Sequence, residues 1–224
     1  MRSLLVCAAP VSGSSEYVSR LAPNADIVIA VDGGGAVCLD AGVLPDYLVG
    51  DLDSAPSEAV DELLARGVPI QRFPTDKNES DLELAIAQAR RLGATEIVVT
   101  AATSGRLDHT LAVLAALAKA ADMSPVIAEP DLAGWILSAS GRKSLALEGA
   151  GSLVSLVAWG GVALLSARGM RWPLDGAELG PESTLGLSNE IASAQPALIT
   201  VRQGTTLVFS PRDLRPPARI SHKR

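Results

Sequence analysis

The sequence predicts an N-terminal α/β domain with a mostly parallel, doubly wound sheet, followed by an all-β domain. Three observations lead there. Short apolar runs alternate with helical periodicity through the first 130 residues, the helical periodicity then stops, and the remainder carries short β-like runs punctuated by glycine and proline. Alternation of strand and helix implies one parallel sheet with right-handed crossovers.

Strands are expected at Ser3–Ala9, Asp26–Val31, Asp46–Val49, Pro69–Phe73, Glu96–Ala102 and Pro125–Ala128, several of them apolar at every position as in strands buried on both faces. Between them the periodicity predicts helices over Ser14–Leu21, Gly35–Ala41, Ser57–Arg66, Asp81–Leu92 and Asp108–Ala121. Gly67 and Gly93 read as stop signals. Ser80 with Glu83 has capping-box spacing, and Leu82, Ile86, Ala89 and Leu92 follow as one apolar stripe. In the β half, strands are expected at Gly134–Ser138, Ser144–Leu147, Ser152–Trp159, Ala163–Ala167, Leu198–Val201 and Thr206–Phe209. This divides the chain into 1–130, 131–211 and a loose basic tail, 212–224, with five basic residues.

At 224 residues and 48% apolar content there is ample material for a core. The net charge of −6 argues against nucleic acid as a partner, because phosphate-backbone binding needs a basic footprint. Residues 1–130 carry nine Lys/Arg against eighteen Asp/Glu, and the remainder ten against seven. An acidic front half fits a cation site, or simply a solvated acidic surface. Cys7 and Cys38 lack metal-ligand spacing and suggest a reduced compartment. The apolar start is too short for a signal peptide, and no segment approaches the roughly 18 residues of a membrane span. A cytoplasmic protein with no membrane partner is the expectation.

Carboxylates cluster where strands give way to loops. In Gly50-Asp51-Leu52-Asp53-Ser54, an extended backbone would project Asp51 and Asp53 to the same side. Such a pair either joins through Mg²⁺, which prefers oxygen ligands, or forms a turn in which Asp53 or Ser54 caps the helix near Ser57. Asp32-Gly33-Gly34-Gly35 opens a helix, either as a tight turn or as a close approach for phosphate or sugar. It has neither Walker nor Gly-x-Gly-x-x-Gly spacing. In Asp76-Lys77-Asn78-Glu79-Ser80-Asp81, Asp81 either complements a helix dipole or supplies a third metal carboxylate, with Lys77 on phosphate. In Gly105-Arg106-Leu107-Asp108-His109, Arg106 fits a phosphate clamp, Asp108 a cap and His109 a nucleotide contact, or all three form a solvated helix start. Trp172 beside Pro173 either packs the core or offers a face to a flat, cationic ring, with Ser188 and Asn189 in a nearby polar turn.

Taken in order, these motifs resemble the thiamine pyrophosphokinase (thiamine diphosphokinase) family from about residue 26 to residue 209, with Val154-Ser155-Leu156, Gly169-Met170-Arg171-Trp172-Pro173-Leu174 and Gly186-Leu187-Ser188-Asn189-Glu190 continuing the match. The resemblance implies a homodimer with an α/β catalytic domain and a C-terminal β-sandwich. It implies transfer of the pyrophosphoryl group of ATP to the hydroxyethyl oxygen of thiamine, giving thiamine diphosphate and AMP. By position, Asp51, Asp53 and Asp81 correspond to Mg²⁺-organising carboxylates and, with Arg106, to the catalytic set. Asp32, Gly33, Gly34, Lys77, Arg106, Asp108 and His109 fall on the ATP side, and Trp172, Ser188 and Asn189 on the thiamine side, where subunits of the family dimer meet. Two departures stand out: Asn78 replaces an aspartate of the usual pattern, and Ser104 replaces a glycine. A pyrophosphokinase for another heteroaromatic alcohol, such as a hydroxymethylpterin, and a silent binding module are the alternatives.

Overall fold

The computed structural model describes residues 1–103 and 105–211, so Ser104 and the tail expected at 212–224 lie outside the described residues. The chain divides into two compact units, Met1–Pro130 and the part that begins at Asp131.

The first unit contains strands β1 (Arg2–Val6), β2 (Ile27–Val31), β3 (Tyr47–Gly50), β4 (Ile70–Arg72), β5 (Glu96–Thr100) and β6 (Val126–Ala128). Helices α1 (Ser14–Leu21), α2 (Gly34–Asp40), α3 (Ser57–Ala65), α4 (Asp81–Arg91) and α5 (Leu107–Lys119) connect them. The sheet order is β6-β5-β1-β2-β3-β4, with every pairing parallel. Leu4, Leu5, Ile29, Leu48 and Ile97 are at most 1% exposed and form its centre. The strand order reverses between β1 and β5, and in doubly wound sheets ligands gather beyond the carboxyl ends of the strands at such a switch. Two strands end two or more residues sooner than expected. The run Glu96–Ala102 stops at Thr100 because Ala101 turns to φ 51°. The run Ser3–Ala9 stops at Val6, although Cys7 and Ala9 still donate to the carbonyls of Thr100 and Ala101. The Ser80–Glu83 capping box is present and fixes the start of α4.

The second unit is all β: β7 (Leu132–Ser138), β8 (Ser144–Leu147), β9 (Leu153–Arg168), β10 (Leu174–Leu179), β11 (Asn189–Glu190) and β12 (Ala197–Pro211). All of their pairings are antiparallel. The separate runs Ser152–Trp159 and Ala163–Ala167 are one strand, β9, with Gly160 at φ 70° within it. The last two runs likewise merge into β12, where the pairing with β9 shifts register on either side of Gln203. These glycines bend a continuous strand instead of ending it, the device by which one strand serves both layers of a sandwich. At Gly204 a Cβ would lie 2.4 Å from the Val162 carbonyl oxygen, so no other residue fits that bend. Strand β10 was not expected because polar residues interrupt its apolar pattern, and β11 is only two residues long. No described helix is long and apolar enough to cross a membrane.

Candidate functional site

The ends of β2 and β3 create an acidic cluster. Parallel pairing sets Val31 against Val49, and the Asp32 amide then donates to the Val49 carbonyl at 2.9 Å. Asp32 is thereby pressed against Gly50, where an added Cβ would sit 3.1 Å from the Asp32 Cβ. Beyond Gly50 the chain is a turn and not extended, since Leu52 has φ 66° and Asp51 Oδ1 accepts the Asp53 amide at 3.2 Å. Leu52 is buried and anchors that turn. Carboxylate oxygens of Asp32, Asp51 and Asp53 come within 4.8 Å of one another. Ser54 Oγ donates to Asp32 Oδ2 and does not cap α3, which begins after Pro56 with no side-chain cap.

Asp51, Asp53 and Asp81 were expected from sequence to hold a metal, and the structure brings the first two together. Asp32 joins the first two, while Asp81, in the first turn of α4, is engaged by Lys77. The Lys77 ammonium lies 2.6 Å from Asp51 Oδ2 and 3.1 Å from Asp81 Oδ1. Hydrogen bonding from Lys77 holds the Asp51 carboxyl below its ordinary range. The Asp51 charge pushes the Asp53 carboxyl above it. Burial disfavours the Lys77 charge, yet its bonds to Asp51 and Asp81 prevail and raise its pKa. Asp32 Oδ1 is buried with no hydrogen-bond partner among the described residues. Crowded carboxylates that repel, one with an unused buried oxygen, form a hard-oxygen donor set that suits a divalent cation.

A cavity of about 630 Å³ opens beside this cluster at the ends of β1, β2 and β5. Asp32, Gly33, Asp81, Arg106 and His109 all line it, together with the apolar Pro10 and Val113. Gly33 lines the cavity; at Gly34 a Cβ would lie 1.9 Å from the Val6 carbonyl oxygen, so glycine there lets α2 pack closely on β1. Arg106 holds Asp108 in a forked pair, Nε to Oδ1 at 3.2 Å and Nη2 to Oδ2 at 2.6 Å. That pair pushes Asp108 down to about 2. Asp108 thus orients Arg106 and caps no helix; the N-cap position of α5 is Arg106 itself.

Sequence reasoning missed Glu129. It follows β6, is fully buried, and its carboxylate accepts the amides of Ala101, Ala102 and Thr103. A charged residue between the apolar run Val126–Ala128 and Pro130 was the available signal.

In the second unit Trp172 is 55% exposed and does not pack the core, a role that Trp135 fills at 2%. The Arg171 guanidinium lies 4.9 Å from the Trp172 ring centroid. Asn189, expected to offer its side chain to a ligand, is buried and spends it on the backbone. Its Oδ1 accepts the amides of Trp172 at 3.1 Å and Glu190 at 2.9 Å, and its Nδ2 donates to the Trp172 carbonyl at 2.7 Å. Ser188 has φ 52°, is exposed, and donates its amide to Ser155 Oγ.

Comparison with known proteins places this geometry in context. Residues 18–127 match the sequence model described as "Thiamin pyrophosphokinase, catalytic domain", and residues 144–206 match "Thiamin pyrophosphokinase, vitamin B1 binding domain". The thiamine pyrophosphokinase of Bacillus subtilis (strain 168) is 26% identical over 165 residues, covering 73% of this chain and 77% of that protein. The fold is shared with the crystal structure of thiamine pyrophosphokinase from Bacillus subtilis (TM-score 0.80, 22% identity, 96% of this chain and 100% of that one). It is shared also with thiamin pyrophosphokinase from Candida albicans (TM-score 0.78, 12% identity, 95% and 90%).

Proposed function

The chain belongs to the thiamin pyrophosphokinase family, and from that membership we propose that it transfers the pyrophosphoryl group of ATP to the hydroxyethyl oxygen of thiamine, releasing thiamine diphosphate and AMP. One observation carries this reading: a cavity beside the acidic cluster stands at the switch point of a unit that matches the catalytic model, and the unit that follows matches the vitamin B1 binding model.

ATP is assigned to the cavity of the α/β unit. Asp32, Asp51 and Asp53 would hold Mg²⁺, with Asp81 nearby once Lys77 turns to phosphate. Bound there, the ion would neutralise phosphate charge. The thiamine oxygen attacks the β-phosphorus in line. A new O–P bond forms as the bond from the β-phosphorus to the α,β-bridging oxygen breaks, and AMP leaves with that electron pair. The alcohol proton departs late, so a carboxylate such as Asp53 suffices as acceptor. Arg106, oriented by Asp108, and Lys77 offset charge on the phosphates, and most of the catalysis is positioning and charge neutralisation.

Thiamine is assigned to the Trp172 turn of the β unit. That ring already faces a guanidinium, and the positively charged thiazolium would take its place on the same face. Ser188 remains available as a polar contact, while Asn189 holds the turn. The active form is proposed to be a cytoplasmic homodimer. The deciding experiment incubates purified protein with Mg²⁺-ATP and thiamine and quantifies AMP and thiamine diphosphate, which should appear in equal amounts. Release of ADP in place of AMP, or no product, overturns the reading, and sedimentation as a monomer under turnover conditions overturns the dimer.

A further inference from the structure

We propose that Glu129 is a positioning residue for the nucleotide: its buried carboxylate holds Ala101, Ala102 and Thr103 in the shape that forms the cavity wall beyond β5. The proposal rests on the assignment of ATP to the α/β unit.

Four donors converge on this carboxylate. The Ala101 amide reaches Oε2 at 2.9 Å, while the Ala102 amide, the Thr103 amide and the Thr103 hydroxyl reach Oε1 at 2.8, 3.0 and 3.1 Å. Three successive amides turned to one point make an anion-binding concavity. At the end of a strand beside the switch point, such a nest would ordinarily attract a phosphate. Here the chain's own glutamate fills it from behind. The loop therefore presents its Ala101 and Ala102 side of the cavity wall as a fixed surface, and phosphates are left to Lys77 and Arg106.

The backbone of the loop needs such a hold. Ala101 sits at φ 51°, a left-handed conformation that is strained for an L-residue and persists only where the surroundings impose it. Ala101 and Ala102 both line the cavity, and Gly105 and Arg106 follow within a few residues. Without the carboxylate, three amides lose their acceptor and Ala101 can relax to negative φ. That shift would move the wall and the entry to the Arg106–His109 segment together.

Glu129→Gln keeps the side chain's shape but turns an NH₂ group toward N–H donors; Thr103→Val removes only the hydroxyl donor. Titration calorimetry with Mg²⁺ and a non-hydrolysable ATP analogue should show the dissociation constant rising about tenfold or more in Glu129→Gln and about threefold in Thr103→Val. The KM for thiamine should stay within about twofold of the parent, and Glu129→Asp should recover part of the lost affinity. Should Glu129→Gln fail to fold, Thr103→Val decides. Nucleotide affinity unchanged in the folded variants, or an equal rise in both KM values, overturns the role of Glu129. A parent protein that binds no nucleotide overturns the underlying assignment instead.

Discussion

Lys77 Nζ lies 2.6 Å from Asp51 Oδ2, so the acidic centre of the α/β unit already holds a cation of its own. The same ammonium reaches Asp81, at 3.1 Å. A divalent ion entering this centre must compete with the lysine for Asp51, and the lysine, once displaced, is free for phosphate. Replacing Lys77 with alanine should therefore tighten Mn²⁺ binding in the absence of nucleotide by about three- to tenfold, because a repelling charge is gone. Turnover should fall by about 10- to 100-fold, because a phosphate partner is gone too. Paramagnetic titration of Mn²⁺ beside steady-state kinetics checks both halves. Weaker Mn²⁺ binding in the variant would mean that the lysine organises the carboxylates instead of competing for them.

Asp53 should trade stability for activity. Repulsion from Asp51 raises its folded-state pKa above 3.8, so the folded state binds this proton more tightly than the unfolded chain does. Ionising Asp53 thus costs stability as pH rises from the unfolded value through the higher folded one, and the cost persists at neutral pH. In chelator, Asp53→Asn should melt higher than the parent at about pH 7 and with no difference at about pH 3. Turnover should drop on the order of 10²-fold or more at saturating Mg²⁺. Equal melting differences at the two pH values, or near-normal turnover, would falsify this account.

Trp172 and Asn189 are hydrogen-bonded neighbours and should fail differently. Asn189→Ala strands the Trp172 amide and carbonyl and the Glu190 amide, at a cost of about 2–4 kcal/mol. Trp172→Ala removes a half-exposed ring and should leave the melting temperature nearly unchanged, yet raise the KM for thiamine about tenfold or more while sparing that for ATP. Denaturant midpoints and the two KM values separate the cases. Similar stability losses in both variants would return Trp172 to a packing role.

Much of this was legible in the sequence because local chemistry and tertiary outcome agree. The Ser80–Glu83 box places α4, and with it Asp81, by contacts within one turn. Apolar runs and stop glycines likewise mark the parallel strands. The membership of the acidic cluster was less legible, because Asp32 meets Asp51 and Asp53 through the β2–β3 register, which no local pattern specifies. The backbone role of Asn189 was hidden for a related reason: a polar residue in a turn reads the same whether its partner is a ligand or its own backbone. Glu129 was passed over since its donors sit 26 to 28 residues away, in a loop that no local pattern pairs with it.

Gly50 and Gly42 offer a test of how tightly that register governs the chemistry. Both have positive φ, 156° and 69°, so alanine is strained at either position, by about 1–3 kcal/mol. Their surroundings differ. A Cβ added at Gly42 would have nothing within 4 Å, whereas at Gly50 that atom would meet the Asp32 Cβ at 3.1 Å and its amide nitrogen at 3.3 Å. Asp32 cannot retreat freely, because its amide is bonded to Val49 and its Oδ2 accepts from Ser54. Gly42→Ala should therefore lose stability and keep full turnover. Gly50→Ala should lose comparable stability and, in addition, about tenfold or more in turnover together with weaker Mn²⁺ binding, as Asp32 is pushed from Asp51 and Asp53. Melting curves, Mn²⁺ titration and turnover measured on the pair give the answer. If Gly50→Ala binds Mn²⁺ as the parent does, Asp32 is not held in the cluster by its contact with Gly50, and the metal set contracts to the two carboxylates of the Asp51–Asp53 turn.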